Sequence, residues 1–199
     1  MPEIPLEKEL VRHAYDNVIE RCARLNSYSG SLVRDLISEE IIAREKSLAI
    51  DDIITLSISA RRLIAVCGIT PNRSELRVQS WRFHLTDDEV SPTPTNTYIG
   101  LQKLFGIFIH SEKLDIIDSD LMARLFFDSR DGTEIIVLYS AKVLEEKYFS
   151  PKILVESDRS DPYVFDIGEI VSCIDKKLLP AVIDVTERHG LYLESDFPS

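Results

Sequence analysis

The chain has 199 residues, of which 44% are hydrophobic and 29% charged, so it can bury a sizeable core without disulfides or metal. Its formal net charge is −11, and an acidic surface repels phosphate backbones and anionic lipid, which argues against broad binding to DNA or membranes. The near-neutral N-terminal part leaves open a local basic patch for nucleic acid, formed by Arg61, Arg62, Arg73, Arg77 and Arg82.

The cysteines and histidines carry no recognisable metal or redox pattern. Cys22, Cys67 and Cys173 are far apart and lie on the apolar sides of predicted helices, where a free cysteine behaves as a small buried hydrophobe. No C-x-x-C pair occurs, and the four histidines are widely spaced. With no signal peptide and no apolar run near about 18–20 residues, the sequence predicts a cytoplasmic protein without cofactor, metal or membrane contact.

Apolar residues recur at three- and four-residue steps through the first 68 residues and predict three helices. The first helix covers about 6–25 and is followed by turn residues at 26–31. The second covers about 31–46, and the third covers about 51–67 before Gly68 ends it.

Further along the chain, residues 96–112 predict a fourth helix with Gly106 in its interior. Such a glycine costs about 1 kcal/mol relative to alanine and often marks the close approach of another backbone or a ligand. Residues 76–85 fit either a short strand or a short helix.

A long C-terminal helix is predicted over about 167–188. Asp166 and Glu169 form a D-x-x-E start in which each carboxylate can accept from a free backbone amide. Pro180 should kink or split this helix, because proline lacks the backbone N–H. Gly190 then closes the helix.

The period changes from about 3.6 to 2 after residue 112, which predicts β-strands. Asp131-Gly132 favours a tight hairpin turn between two of them. The fold class predicted is α+β: a helical layer of four to five helices with an antiparallel β-meander inserted before the C-terminal helix. One domain, 1–199, comprises a mainly helical part (1–112), the meander (113–166) and the C-terminal helix (167–190). The predicted strands are 114–117, 121–127, 134–143, 152–156 and 163–165.

His110 is the most informative single residue, since it ends the aromatic-rich string Leu101–His110. A histidine there can act as a general acid or base, because its unperturbed pKa lies near working pH. It can equally favour the negative end of the helix dipole and hydrogen-bond a terminal carbonyl. Both interpretations stay open.

A helical bundle whose penultimate helix ends in a hydrophobic-hydrophobic-His string, here Phe108–His110, resembles the HEPN superfamily. The resemblance covers the helices between residues 6 and 112 and the final helix. It implies a metal-independent RNase or nucleotide-modifying toxin of a bacterial conflict system. The family motif places an arginine before the histidine, where this chain has Lys103–Phe105. An arginine from a neighbouring helix, Arg61 or Arg62, is the candidate to face His110 instead.

Three functions follow from these patterns. The first is a non-catalytic interaction or regulatory module, such as a dimer or a component of a bacterial two-gene system. It would bind protein, either itself or a partner chain, because an exposed hairpin edge can pair with another strand. The second is a HEPN-type RNase in which His110 is the acid or base and Arg61 or Arg62 stabilises the phosphorane charge. The third is a small-molecule binder lined by Trp81, Phe105 and Tyr139.

Overall fold

A computed structural model describes residues 7–30, 38–70, 75–84, 93–117, 123–128, 134–139, 151–157 and 160–193. Its helices are α1 (Lys8–Gly30), α2 (Glu39–Val66), α3 (Leu101–His110), α4 (Ile167–Cys173) and α5 (Leu179–Arg188), with a π-helical turn (Ile174–Leu178) joining the last two. Its strands are β1 (Arg77–His84), β2 (Thr93–Gly100), β3 (Lys113–Ile117), β4 (Ala123–Asp128), β5 (Glu134–Tyr139), β6 (Lys152–Ser157) and β7 (Ser160–Asp166). The predicted α+β class, with a β-meander before the C-terminal helix, is confirmed.

The N-terminal helices are longer and fewer than predicted. The turn predicted at 26–31 is wrong over 26–30, because α1 continues to Gly30 and the Ser29 hydroxyl donates within the helix to the Leu25 carbonyl oxygen at 2.7 Å. Residue 31 lies outside the described residues. The break predicted between residues 46 and 51 is also wrong. α2 runs through it, since Ala49 is buried there and packing against a neighbour stabilises a helix more than local propensity does.

Both ends of α2 follow simple capping chemistry. The Ser38 side chain accepts from the Ile41 amide at 3.4 Å, which satisfies one free N–H at the start. Gly68 has φ +62 and ends the helix as predicted. The start predicted for this helix, residues 31–37, lies outside the described residues.

The helix predicted over 96–112 is wrong in its first part. Thr93–Gly100 forms β2, which pairs antiparallel with β1 over its whole length, and the helix begins only at Leu101. Alternating threonines favour an extended chain because they are β-branched. The ambiguous segment 76–85 is strand β1, so the mainly helical part of the chain also contains two strands.

A five-stranded antiparallel sheet, in the order β2-β1-β7-β6-β3, forms the centre of the described structure. β4 and β5 pair with each other in a separate two-stranded ladder. This antiparallel pairing confirms the hairpin predicted around Asp131-Gly132, although the turn residues themselves, 129–133, lie outside the described residues.

The C-terminal helix begins where predicted, with Asp166 Oδ1 accepting from the Glu169 amide at 2.9 Å. The disruption predicted at Pro180 takes the form of the π-helical turn that precedes it. There the Leu179 amide donates to the Ile174 carbonyl, five residues back, so the chain continues as a helix instead of breaking. Gly190, with φ +68, closes α5 as predicted.

The main core lies between the helices and one face of the sheet. Phe108 of α3 packs edge-on against Phe165 of β7, with ring centroids 5.4 Å apart. Leu154 and Val164, on the other face of the sheet, are equally buried but lie outside that cluster. No helix among the described residues has the length and apolar character needed to cross a bilayer.

Candidate functional site

His110 is the last residue of α3, and its side chain is exposed to solvent. The apolar face of α3 is buried, whereas Lys103 and Gly106 lie seven and four residues before His110 on the outward face. Ser111 follows as the C-cap, and its hydroxyl donates to the Phe108 carbonyl oxygen at 3.0 Å. The imidazole is therefore accessible, at the end of a fixed helix.

Arg61 and Arg62 lie in the last two turns of α2, where Arg62 is exposed and Arg61 is half-buried. In the described part of the chain, no hydrogen bond or ion pair joins either guanidinium to His110. The structure brings α2 and α3 together through apolar residues such as Ile53 and Phe105. The catalytic role of the three residues stays a prediction.

Two of the five arginines in the basic patch suggested by composition, Arg77 and Arg82, lie in one strand of the sheet. Arg77 and Arg82 are five residues apart in β1, so their side chains point to opposite faces of the sheet. The Arg82 guanidinium stacks over the Tyr163 ring at 5.6 Å from its centroid. Arg73 lies outside the described residues. A continuous phosphate-binding surface is therefore not formed by Arg77 and Arg82.

An apolar cavity of about 10 Å³ lies between α2, α3, α4 and the sheet. Phe105 and Phe108 line it together with Ile53 and Ile153. Trp81 is not among its lining residues, and the Tyr139 side chain lies outside the description. A space of this size holds about one water molecule, so this cavity does not accommodate the small-molecule ligand considered above.

A buried lysine pairs with a partly exposed aspartate on the second face of the sheet, a feature that the sequence did not predict. Lys152 has 1% of its surface exposed. Its Nζ donates to Asp166 Oδ2 at 3.1 Å and lies 5.5 Å from the centroid of the Trp81 ring. Asp166 also caps α4, so the pair connects β6, β7 and the start of the C-terminal helix.

A second carboxylate extends this polar network to β1. Glu169 Oε1 accepts from the Gln79 amide at 2.8 Å. The predicted D-x-x-E start is thus confirmed in its first half, while Glu169 satisfies an amide of a neighbouring strand. This hydrogen bond joins β1 to α4, while the ion pair joins β6 to the end of β7.

The three thiols are free and buried, as predicted. Burial raises the pKa of Cys22 to about 12, with Asp175 adding to the shift. Burial alone raises the pKa of Cys67 to about 11. Burial also raises the pKa of Cys173. The thiols therefore stay protonated at neutral pH, and a thiolate is needed for nucleophilic attack or metal binding. Across the described ranges, no group of three or more His, Cys, Asp or Glu side chains could hold a metal ion.

Among the described strands, β2 pairs only with β1, so its other side is an edge of the described sheet. The Leu101 amide donates to the Leu76 carbonyl at 3.0 Å, and the β1–β2 register continues from this pair. In an antiparallel ladder, successive residues alternate in direction, so the amides of Asn96, Tyr98 and Gly100 point away from β1. The Gln79 amide agrees with this, since it is opposite Tyr98 and donates away from β2 to Glu169.

β2 differs from the other described strands in its charge. Its sequence, Thr-Pro-Thr-Asn-Thr-Tyr-Ile-Gly, has no charged side chain, whereas each of the other six strands has at least one. Charged residues on an edge strand are a common protection against pairing with another chain. Pro94 supplies such protection only at the start of β2, where its missing N–H would face outward.

Two aromatic side chains lie at or near this edge, Tyr98 on β2 and Trp81 on β1. Tyr98 is 58% exposed, and Asn96 beside it is also exposed. Trp81 is half-buried and lies diagonally across the β1–β2 ladder from Tyr98, on the same face of the sheet. The alternating threonines were the sequence signal for this strand, and the helical spacing of Tyr98, Leu101 and Phe105 obscured it.

Comparison of the chain with protein-family models, with curated proteins and with solved structures finds no match.

Proposed function

We propose that the chain is a non-catalytic protein-interaction module whose binding surface is the β2 edge, defined as the outward backbone groups of Asn96, Tyr98 and Gly100 with the Tyr98 side chain. The observation that carries this proposal is an uncharged edge strand with a large exposed aromatic residue. Strand addition to such an edge obtains affinity from backbone hydrogen bonds and specificity from side chains. Tyrosine is also enriched among the residues that dominate binding energy at interfaces.

Contacts of β1 with β2 and with α4 hold the β2 edge in place before a partner binds. β1 holds β2 over eight residue pairs, and β1 is itself fixed to α4 through the Gln79 amide and Glu169. Trp81 is positioned over the buried Lys152. A partner strand would therefore meet a rigid edge, and little conformational entropy would be lost from this side of the interface.

Site-specific photo-crosslinking tests the proposed function. A benzophenone amino acid would replace Tyr98 in one variant and Tyr192, which is 63% exposed, in a matched control. We expect protein adducts from position 98, formed with a second copy or with another chain, and few from position 192. The adducts should disappear when Asn96→Pro is added, because this change removes one outward N–H. No adduct at position 98, or equal adducts at both positions, would contradict the proposal.

A metal-independent RNase of HEPN type is the second candidate, and the exposure of His110 favours it. His110 would act as acid or base, with Arg61 or Arg62 stabilising the transition-state charge. Lys103 adds a positive charge on the outward face of the same helix. The test is cleavage of labelled RNA in the presence of EDTA by wild type, His110→Ala and the exposed control His189→Ala. Activity lost only in His110→Ala would establish this candidate, and no activity in any of them would rule it out.

A further inference from the structure

The C-terminal helix buries every fourth residue along most of its length. The positions that share this spacing, each at most 3% exposed, are Ile170, Ile174, Leu178, Val182 and Thr186. The four aliphatic members belong to the main core. Even the polar Thr186 is enclosed, and its hydroxyl donates to the Ile183 carbonyl oxygen at 3.0 Å. The helix therefore presents one buried stripe that crosses α4, the π-helical turn and α5.

An uninterrupted α-helix would not keep this stripe on one side. An α-helix has about 3.6 residues per turn, so each four-residue step advances about 40° beyond a full turn. From Ile170 to Thr186 this drift would add up to about 160°, which places Thr186 nearly opposite Ile170. One extra residue accommodated within a single turn takes back about 100° of that drift. The remaining rotation is small enough for the whole stripe to face the same core.

The π-helical turn lies in the middle of the stripe, where such a correction serves both halves. The Leu179 amide donates to the Ile174 carbonyl oxygen, five residues back, so this turn holds one residue more than an α-helical turn. Residues 175–177 within it, Asp-Lys-Lys, are all exposed. The surplus residue therefore lies on the solvent side and displaces no core side chain.

We infer that the π-helical turn is a conformational device that absorbs one surplus residue and so keeps the buried faces of α4 and α5 aligned. This inference is independent of the β2 edge. Pro180 follows the turn, and a proline by itself also disfavours α-helical hydrogen bonding. The two causes differ in what they predict when the proline is replaced. The buried stripe would maintain the turn without proline, because a continuous α-helix would rotate Val182 and Thr186 by about 100° away from the core.

A crystal structure of the full chain with Pro180→Ala tests the first consequence. Alanine restores the backbone N–H and is the best helix former, so residue 180 would no longer oppose a continuous α-helix. We expect the Leu179 amide to remain hydrogen-bonded to the Ile174 carbonyl oxygen. An α-helical bond from the Leu179 amide to the Asp175 carbonyl oxygen would overturn the inference and assign the π-helical turn to the proline.

Deletion of the surplus residue tests the second consequence by urea unfolding. Removing Lys176 from the Pro180→Ala variant should leave a continuous α-helix with the same buried stripe, so the urea midpoint should equal or exceed that of Pro180→Ala. The matched control, in the same variant, is deletion of Ile58, which is 46% exposed and lies between buried residues of the α-helix α2.

The control deletion should lower the urea midpoint strongly or prevent folding, because the buried residues on its two sides would be rotated by about 100° relative to each other. A lower midpoint for the Lys176 deletion than for Pro180→Ala would overturn the inference. Equal midpoints for the two deletions would overturn it as well, because rotating a buried stripe would then carry no cost.

Discussion

At the scale of single residues, the pair Lys152–Asp166 shows how burial determines the free-energy cost of leaving a charge without its ion-pair partner. Lys152 is almost completely buried, while the Asp166 side chain is 17% exposed. An ion that keeps some contact with water is less costly to leave without its partner than one that has none. The two members of the pair should therefore respond differently to mutation.

Removing either charge tests this difference. Asp166→Asn keeps the oxygen that caps α4 but removes an ionised partner of the buried ammonium, which should cost up to about 3–5 kcal/mol of unfolding free energy. Lys152→Met keeps the length of the side chain and should cost less, because water still reaches Asp166. The double variant should be more stable than the sum of the two single changes implies. Urea unfolding measures all three, and strict additivity would contradict the account.

The buried thiols give a pH-dependent stability. Their pKa values in the folded chain, about 12 for Cys22 and about 11 for Cys67, exceed the ordinary value of about 8.5–9 in the unfolded chain. Above that ordinary value the unfolded chain loses these protons first, so the free energy of unfolding falls as pH rises from about 9 toward 11–12. Urea midpoints at pH 8 and pH 10.5 should differ less in Cys22→Ala/Cys67→Ala than in wild type. An equal difference in both proteins would show that the thiols do not contribute.

Residue patterns along one element predicted the burial of the cysteines but not that of Lys152. Cys22, Cys67 and Cys173 each fall on an apolar stripe that can be read within one helix. Lys152 has its carboxylate 14 residues away and its aromatic neighbour, Trp81, 71 residues away in sequence. Which residues come into contact at such separations depends on the order of the strands in the sheet, and local periodicity does not predict that order.

At the scale of elements, Gly106 is a local weakness in α3. The sequence suggested a close approach by another backbone or a ligand. The first alternative is wrong within the described residues, because nothing lies within 4 Å of the position that a Cβ would take, and the second stays a prediction. Gly190 has the same open space but φ +68, in the left-handed region that side chains other than glycine adopt at a cost. The two glycines have the same free space for a Cβ and differ in the sign of φ.

Alanine at each of them gives a matched comparison. Gly106→Ala should stabilise the chain by up to about 1 kcal/mol, because alanine loses less conformational freedom in a helix. Gly190→Ala should destabilise it by about 1 kcal/mol, because alanine is strained at a positive φ. Thermal or urea unfolding of both variants is the measurement. Destabilisation by Gly106→Ala would show that something occupies the space beside α3.

The start of α3 shows why local patterns failed at the β2 edge. Tyr98, Leu101 and Phe105 have helical spacing, and the sequence therefore predicted one helix from residue 96. The pairing of Thr93–Gly100 with β1 instead satisfies a full row of backbone groups on both strands. Hydrogen bonds to another strand therefore outweighed the local helical periodicity of the sequence.

At the scale of the whole molecule, the sequence predicted the fold class and the hairpin but not the arrangement of the sheet. β1 lies between β2 and β7, so the first and the last of the described strands are neighbours. The candidate surface depends on that order, because it makes β2 an edge. His110, Arg61 and Arg62 could be selected from sequence, whereas the β2 edge could be recognised only after the strands were placed.

Residue-resolved amide exchange on the associated chain is the most direct test of the β2 edge as a binding surface. Upon association, the outward amides of Asn96, Tyr98 and Gly100 should exchange more slowly, because they gain hydrogen bonds. The amides of Thr97 and Ile99 already donate to β1 and should change little. This alternation along one strand is the result that the account predicts. Unchanged exchange at all three outward amides, in a sample shown to be associated, would contradict it.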